Sequence, residues 1–231
     1  MAESKNELRG LVAQCCRMLE AAGLIDFSGH VSSRSGGSRF LINPRDRSRF
    51  TAKPEELVEA DLEDSSAAKG TLPSEAYIHS SIYRRRPDVN AVAHLHSPAV
   101  ISLSVARRPI FPATINGAIF MDGIPIYEDC RLLNTEDRGD RLAEALGSAR
   151  AVVIRGHGSV VAAENIKALF FTCVYFERNA QRLLEAYQSG SPQPLPREEL
   201  EEMKQWLSKG RLHGKIWDYY ASRLGEGRSS W

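Results

Sequence analysis

His94 and His96 stand one residue apart at the end of an apolar run, Val89-Asn90-Ala91-Val92-Ala93-His94-Leu95-His96. Side chains alternate faces along an extended strand, so both imidazoles project the same way as Val92. Two imidazoles on one strand face can chelate a single metal ion, and burying them side by side without a shared ligand would be costly. Neutral imidazole binds zinc well, and three histidines plus one open or carboxylate-filled position make a catalytic arrangement. A candidate third ligand is His157, which ends another apolar run, Val152-Val153-Ile154-Arg155-Gly156-His157-Gly158. Spacing alone does not tie it to the pair. A lone histidine on an apolar face is usually a core residue, and that is the plain reading of His30 or His213 taken singly.

The segment ahead of the histidine strand offers a carboxylate. Residues 74–84 read as a helix with Ser74 as N-cap, Glu75 in the first turn, and His79 one turn later on the same face. A helix N-terminus favours the ionised form of a carboxylate placed there. Pro87 closes the helix, and the histidine strand begins at once.

The remaining elements must hold these groups together. Leu8, Leu11, Val12, Cys15, Met18, Leu19 and Ala22 recur at helical spacing, which predicts a helix over 4–22 capped by Ser4 and stopped by Gly23. Residues 27–34 read as a turn entering a strand, Gly36-Gly37 as a hairpin turn, and 39–43 as the returning strand. Arg45, Arg47 and Arg49 then fall on one loop, where guanidinium forks could clamp a carboxylate or phosphate or simply be solvated. A short helix over 54–58 and a polar stretch over 59–70 follow. Downstream, 97–105 reads as a helix, 110–120 as an extended apolar segment, 124–126 as a short strand and 136–146 as a helix. Strands over 151–154 and 159–162 flank the Gly156-His157-Gly158 turn, and a long helix covers 164–188. A Ser-, Gly- and Pro-rich linker over 189–196 leads to a charged helix, 197–209, and the aromatic segment Ile216-Trp217-Asp218-Tyr219-Tyr220. Strands and helices alternate irregularly and no glycine-rich dinucleotide motif is present, which points to an α/β layered domain with a mixed or antiparallel sheet.

Composition sets the outer bounds. The 231 residues are 42% hydrophobic and 26% charged, with 30 Lys plus Arg against 29 Asp plus Glu. A balance so close to neutral gives no reason to expect a nucleic-acid or membrane-surface binder. The first residues lack a secretory signal's apolar core, and no apolar run approaches bilayer length. The four cysteines (Cys15, Cys16, Cys130, Cys173) have neither metal-ligand nor redox spacing, which suits small apolar roles in a reduced, cytoplasmic protein.

Four motifs in order, Gly29-His30-Val31-Ser32-Ser33-Arg34, Pro73-Ser74-Glu75 with His79, His94-Leu95-His96-Ser97-Pro98, and Arg155-Gly156-His157-Gly158, resemble those of the class II aldolase/adducin family. The resemblance runs from about residue 5 to 188. It implies a three-layer α/β/α sandwich with a mainly antiparallel central sheet, and usually a homotetramer with active sites between subunits. It further implies metal ligation by His94, His96 and His157, with zinc the first choice and manganese the alternative, and Glu75 as catalytic acid/base. Residues 1–190 would be the catalytic domain and 191–231 a C-terminal helical extension. Family enzymes cleave or form bonds at a carbon whose electrons flow into an enolate-like oxygen, which the metal stabilises as a Lewis acid. Adducin itself resembles them in fold but is a cytoskeletal protein without the chemistry.

The chain departs from the pattern of the sugar-phosphate members. Where they resemble one another in an Asn, a Thr-Pro-Ser-Gly-like loop and a Ser-Ser before the glutamate, this chain has His30, Ile42-Asn43-Pro44-Arg45-Asp46-Arg47, and Pro73. A phosphate dianion needs convergent donors, including backbone N–H groups at glycines. Pro73 removes one N–H and the loop glycine is absent, so a non-phosphorylated substrate is expected. His30 and the arginines suit carboxylates, and Gly-His-Val-Ser resembles the decarboxylases of hydroxylated phthalate- or pyridine-type dicarboxylates. Gly29, His30, Ser74 and Arg47 are the expected substrate contacts. Asn116 aligns with the region that supplies a neighbouring subunit's tyrosine in the aldolases. An aldolase acting on a hydroxy-oxo acid and a non-catalytic adducin-like interaction domain are the rival expectations; retention of all three histidines and Glu75 argues against the latter. Trp217, Tyr219 or Tyr220 could reach the site from the tail or simply pack.

Overall fold

The computed structural model describes residues 4–63 and 70–224. Helix α1 (Lys5–Ala21) begins where Ser4 Oγ accepts from the Glu7 N–H, and it buries Val12, Cys15, Met18 and Leu19 along one stripe. Seven strands follow in chain order: β1 (His30–Gly36), β2 (Arg39–Ile42), β3 (Val58–Asp61), β4 (Ala91–Leu95), β5 (Ile126–Tyr127), β6 (Ala151–Ile154) and β7 (Gly158–Ala163). They form one sheet in the order β3-β2-β1-β4-β7-β6-β5, with only β5 and β6 parallel among the described pairs. The α/β class and the mainly antiparallel sheet are thus observed.

The helices between and after the strands are α2 (Tyr77–Arg85), α3 (Pro98–Val105), α4 (Glu136–Leu146), α5 (Ile166–Ser189), α6 (Arg197–Leu207) and α7 (Arg211–Arg223). Apolar side chains gather in two clusters. One joins α1, α3, α5 and α7 with Val31, Ala91, Ala93 and Leu95; the other joins α2 and α4 with Phe40, Val92, Val152 and Val160. Alternate residues of β4 divide between the clusters, as the strand period requires. Trp217 and Tyr220 of α7 are buried against Phe170 of α5, at ring-centroid distances of 5.8 and 5.1 Å, so both pack on the long helix.

Four sequence expectations are corrected. Ser74 does not cap a helix: residues 74–76 form a turn, α2 starts at Tyr77, and its cap position is Ala76. Residues 110–120 are not extended throughout, because Ile115–Phe120 is a 3-10 helix whose cap, Thr114, accepts from the Gly117 N–H. Val58–Asp61 is an edge strand paired with β2 and not the start of a polar loop; Glu59 on it accepts from Lys5 and Ser35. The short strand predicted over 124–126 lies at Ile126–Tyr127. Part of the polar stretch over 59–70 lies outside the described residues.

Sheet register positions the chemistry. Pairing of β1 with β4 sets His30 opposite His94, and pairing of β4 with β7 sets Leu95 opposite Ser159. Gly158, the first residue of β7, allows this close approach: a Cβ there would lie 2.4 Å from the Leu95 carbonyl oxygen and 3.0 Å from the His96 ring.

Candidate functional site

Five of the six histidines meet at one end of the central strands. His94 and His96 bring their Nε2 atoms to 3.2 Å, His157 lies with its ring centroid 5.1 Å from that of His94, and His30 lies 5.0 Å from His94 on the other side. His79 completes the group through a 2.6 Å contact with His30. Nitrogen atoms of His94, His96 and His157 lie within 4.8 Å of one another, and so do ligand atoms of His30, Glu75 and His94.

The tautomers follow from the partners. His94 Nδ1 lies 3.1 Å from the Ser159 carbonyl oxygen, which can only accept, so Nδ1 carries the hydrogen. His96 Nδ1 donates to Asp26 Oδ2 at 2.9 Å. Burial pushes the Asp26 carboxyl up, but hydrogen bonds from His96, Ser28 and Gly29 outweigh it and hold the group below its ordinary value. His94 therefore presents a bare Nε2 lone pair to His96, and a neutral His96 presents one in return. Burial, with the neighbouring His96 and His157, keeps His94 well below the usual imidazole range, so it stays neutral. Two facing lone pairs repel unless a cation lies between them. Zinc–imidazole bonds near 2.05 Å in a tetrahedral set require nitrogen separations of about 3.3 Å, which the observed spacing fits. Partners on the outer nitrogens, one carboxylate and one carbonyl, are the arrangement that orients metal-bound imidazoles.

Glu75 is buried beside this set. Its Oε1 accepts from the Leu133 N–H at 2.8 Å, and its Oε2 lies 3.6 Å from His94 Nε2 and 3.7 Å from His157 Nε2. Burial lowers the His157 pKa, the Glu75 carboxylate opposes that, and the net shift is downward. The carboxylate can thus complete a coordination sphere or handle a proton next to one.

The expected substrate contacts divide. Gly29 and His30 adjoin the histidines; a Cβ on Gly29 would strike Ile25 at 2.5 Å. Ser74 is exposed and lines a cavity of about 260 Å³ with Arg45, Tyr77 and Asn134. Arg47 lines a second cavity, of about 400 Å³, with Asp26, Phe27 and Phe50. Arg49 is no clamp: it is buried and donates to the carbonyls of Gly29, Arg45 and Arg47, pinning the loop beside β1. Asn116 is not among the residues around its own chain's histidines. It lines a cavity of about 500 Å³ with Thr114, Glu177, Arg178, Gln181 and Tyr220. Asp26, the Ser159 carbonyl and the Leu133 N–H were not anticipated, and only Asp26, two residues before Ser28 in a turn, carries any trace in the sequence.

The Class II Aldolase and Adducin N-terminal domain matches residues 10–184, and the chain belongs to that family. A 3,4-dihydroxyphthalate decarboxylase of Terrabacter sp. (strain DBF63) is 30% identical over 232 residues, covering 94% of this chain and 97% of the relative. The protein of that name from Arthrobacter keyseri is 29% identical over 211 residues, covering 84% and 85%. An L-fuculose 1-phosphate aldolase structure aligns with a TM-score of 0.79 at 25% identity, covering 90% of this chain and 98% of that one. Decarboxylases and aldolases are both lyases, and the chain is an enzyme of that kind. No helix among the described residues is long and apolar enough to cross a membrane.

Proposed function

We propose that this chain is a divalent-metal-dependent carbon–carbon lyase that decarboxylates a hydroxylated aromatic dicarboxylate of the phthalate or pyridine type. The observation that carries the metal is the 3.2 Å approach of two Nε2 lone pairs whose Nδ1 partners are already fixed. His94, His96 and His157 would hold the ion, zinc in our reading, with manganese the choice if Glu75 and oxygen ligands fill more positions. Bound there, it would act as a Lewis acid on the substrate's hydroxyl and carboxylate oxygens.

The chain's own residues supply the rest. Glu75, tethered through Oε1 to Leu133, takes the hydroxyl proton on Oε2 and returns it to the ring carbon. The C–CO2 bond breaks as that carbon is protonated, CO2 leaves, and the ring electrons are restored. Gly29 and His30 border the reacting end, and Ser74 and Arg47, which line separate cavities, remain the proposed outer contacts. His30 and the arginines, in place of phosphate donors, favour this substrate class, as does the likeness to proteins named dihydroxyphthalate decarboxylases. We read the fold as a three-layer α/β/α sandwich, with residues 1–190 catalytic and 191–231 an extension. In a cytoplasmic homotetramer of this kind Asn116 would serve a neighbouring subunit's site.

Metal-loaded protein assayed against a panel of hydroxyphthalates and hydroxypyridine dicarboxylates should release CO2. An aldehyde product from a hydroxy-oxo acid would instead support the aldolase reading, which the fuculose-phosphate aldolase likeness favours. Absence of both activities and of any bound divalent ion would leave an adducin-like interaction domain.

Asp26 gives a second test. In Asp26→Asn the remaining oxygen keeps the Ser28 and Gly29 N–H groups, now at 2.7 and 3.3 Å, and the new amide turns its N–H toward His96. His96 Nδ1 must then accept, which moves its hydrogen to Nε2 and removes the lone pair needed for ligation. Metal affinity should fall about 10–100-fold in a competition titration with a chromophoric chelator. An unchanged affinity would mean that Asp26 does not orient His96.

A further inference from the structure

Behind the histidine cluster, buried polar side chains run in single file. His30 Nδ1 is 2.6 Å from His79 Nε2, His79 Nδ1 is 2.5 Å from Ser32 Oγ, and Ser32 Oγ is 2.8 Å from the Tyr83 hydroxyl. None of the four is more than 1% exposed. The file is built by two periodicities: His30 and Ser32 share a face of β1 at i, i+2, and His79 and Tyr83 share a face of α2 at i, i+4. Arg34 closes the inner end, its guanidinium 4.8 Å from the Tyr83 ring centroid and donating to the Tyr83 carbonyl.

Each link needs one hydrogen, and only one direction uses them all. Among the described residues, Ser32 Oγ is the side-chain partner of the Tyr83 hydroxyl, and either oxygen could donate. If Tyr83 donates to Ser32, the Ser32 hydrogen goes to His79 Nδ1, the His79 hydrogen sits on Nε2 and goes to His30 Nδ1, and His30 carries its own hydrogen on Nε2. The reverse direction strands the phenolic hydrogen in a buried site, which is unfavourable. Burial pushes His79 down to about 3, so its imidazole is neutral, and a His30 Nδ1 that accepts its hydrogen is bare.

We propose that Tyr83, Ser32 and His79 are positioning residues that fix His30 as its Nε2–H tautomer, making it a hydrogen-bond donor to an anionic oxygen of the substrate and not a base. The identity of that oxygen, a carboxylate or an ionised ring hydroxyl, rests on the decarboxylase reading; the tautomer does not. Glu75 is then the group left to move the proton.

The test uses full-length, metal-loaded protein with 15N-labelled histidine. Long-range 1H–15N correlations report which ring nitrogen carries hydrogen, and His30→Asn identifies the His30 signals by their loss. The hydrogen is expected on Nε2. Tyr83→Phe removes the hydrogen that sets the direction, so a second His30 tautomer should appear. Phthalate, used as a non-reacting dicarboxylate probe in calorimetry, should bind about three- to ten-fold more weakly, one net hydrogen bond's worth. KM should rise by a similar factor with kcat nearly unchanged. Ser32→Ala should act in the same direction. A wild-type His30 protonated on Nδ1 overturns the proposal, as does a Tyr83→Phe protein with one unchanged tautomer and unchanged phthalate affinity. Failure of every hydroxyphthalate to turn over, with His30 still protonated on Nε2, would refute the decarboxylase reading and support the tautomer assignment.

Discussion

Glu75→Gln is expected to lower kcat for CO2 release by about 10²- to 10⁴-fold, the usual contribution of a positioned general acid or base. The substitution isolates proton transfer from architecture. Glutamine keeps an oxygen for the Leu133 N–H, which Glu75 Oε1 now accepts at 2.8 Å, so the turn over 74–76 has no reason to shift. The group lost is the carboxylate Oε2, the proposed proton acceptor, which faces His94 and His157 at 3.6 and 3.7 Å. An amide cannot take a hydroxyl proton and return it to carbon. Metal content, measured by elemental analysis of dialysed protein, should stay near one ion per chain, and KM should change less than kcat. Activity within ten-fold of wild type at full metal loading would remove Glu75 from the proton path. Loss of metal together with activity would reassign it as a ligand.

The parts of this site that could be read in the sequence are those written at fixed short spacing. His94 and His96 at i, i+2 are read as sharing a strand face; His94 lies in β4, and His96, one residue past its end, still brings its Nε2 to 3.2 Å from that of His94. The α1 and α5 helices were legible for the same reason, since their apolar residues repeat at helical intervals over several turns. What escaped was set by tertiary context. Strand β3 hides because its alternation, Val58-Glu59-Ala60-Asp61, lasts only four residues and runs straight into a polar stretch. The 3-10 helix at Ile115–Phe120 is imposed partly from α5, where Asn179 accepts from the Ala113 N–H and donates to the Phe111 carbonyl. Ser74 looked like an N-cap by residue type, yet the tight turn that buries Glu75 delays α2 to Tyr77. Asp26 and His79 acquire their roles only when the sheet closes, because each meets its histidine partner across a long stretch of chain, 70 and 49 residues. Arg49 shows the opposite error: a residue type suited to clamping an anion is consumed by backbone carbonyls.

The second large effect concerns the ion itself. His94→Asn should weaken divalent-metal binding by more than about 100-fold, beyond what loss of a supporting contact produces. His94 is the central member of the set: it is fully buried, 3.2 Å from His96 Nε2 and 3.6 Å from Glu75, with its ring against His157. An asparagine amide can still donate to the Ser159 carbonyl, so β4–β7 pairing survives while the shared lone pair is lost. Because an ion that binds only folded protein stabilises it by mass action, zinc at 100 times its Kd should contribute about 2.7 kcal/mol. For a chain of this size that raises the wild-type Tm by roughly 5–10 °C over chelator-treated protein. His94→Asn should show no such rise and no turnover. His213→Asn, altering a histidine that packs on Phe171 at 4.7 Å, outside the cluster, should keep both. Equal zinc-dependent shifts in wild type and His94→Asn would place the ion elsewhere. A wild type indifferent to zinc, manganese and chelator alike would mean that the facing lone pairs are bridged by a proton, and that the site does not work through a metal.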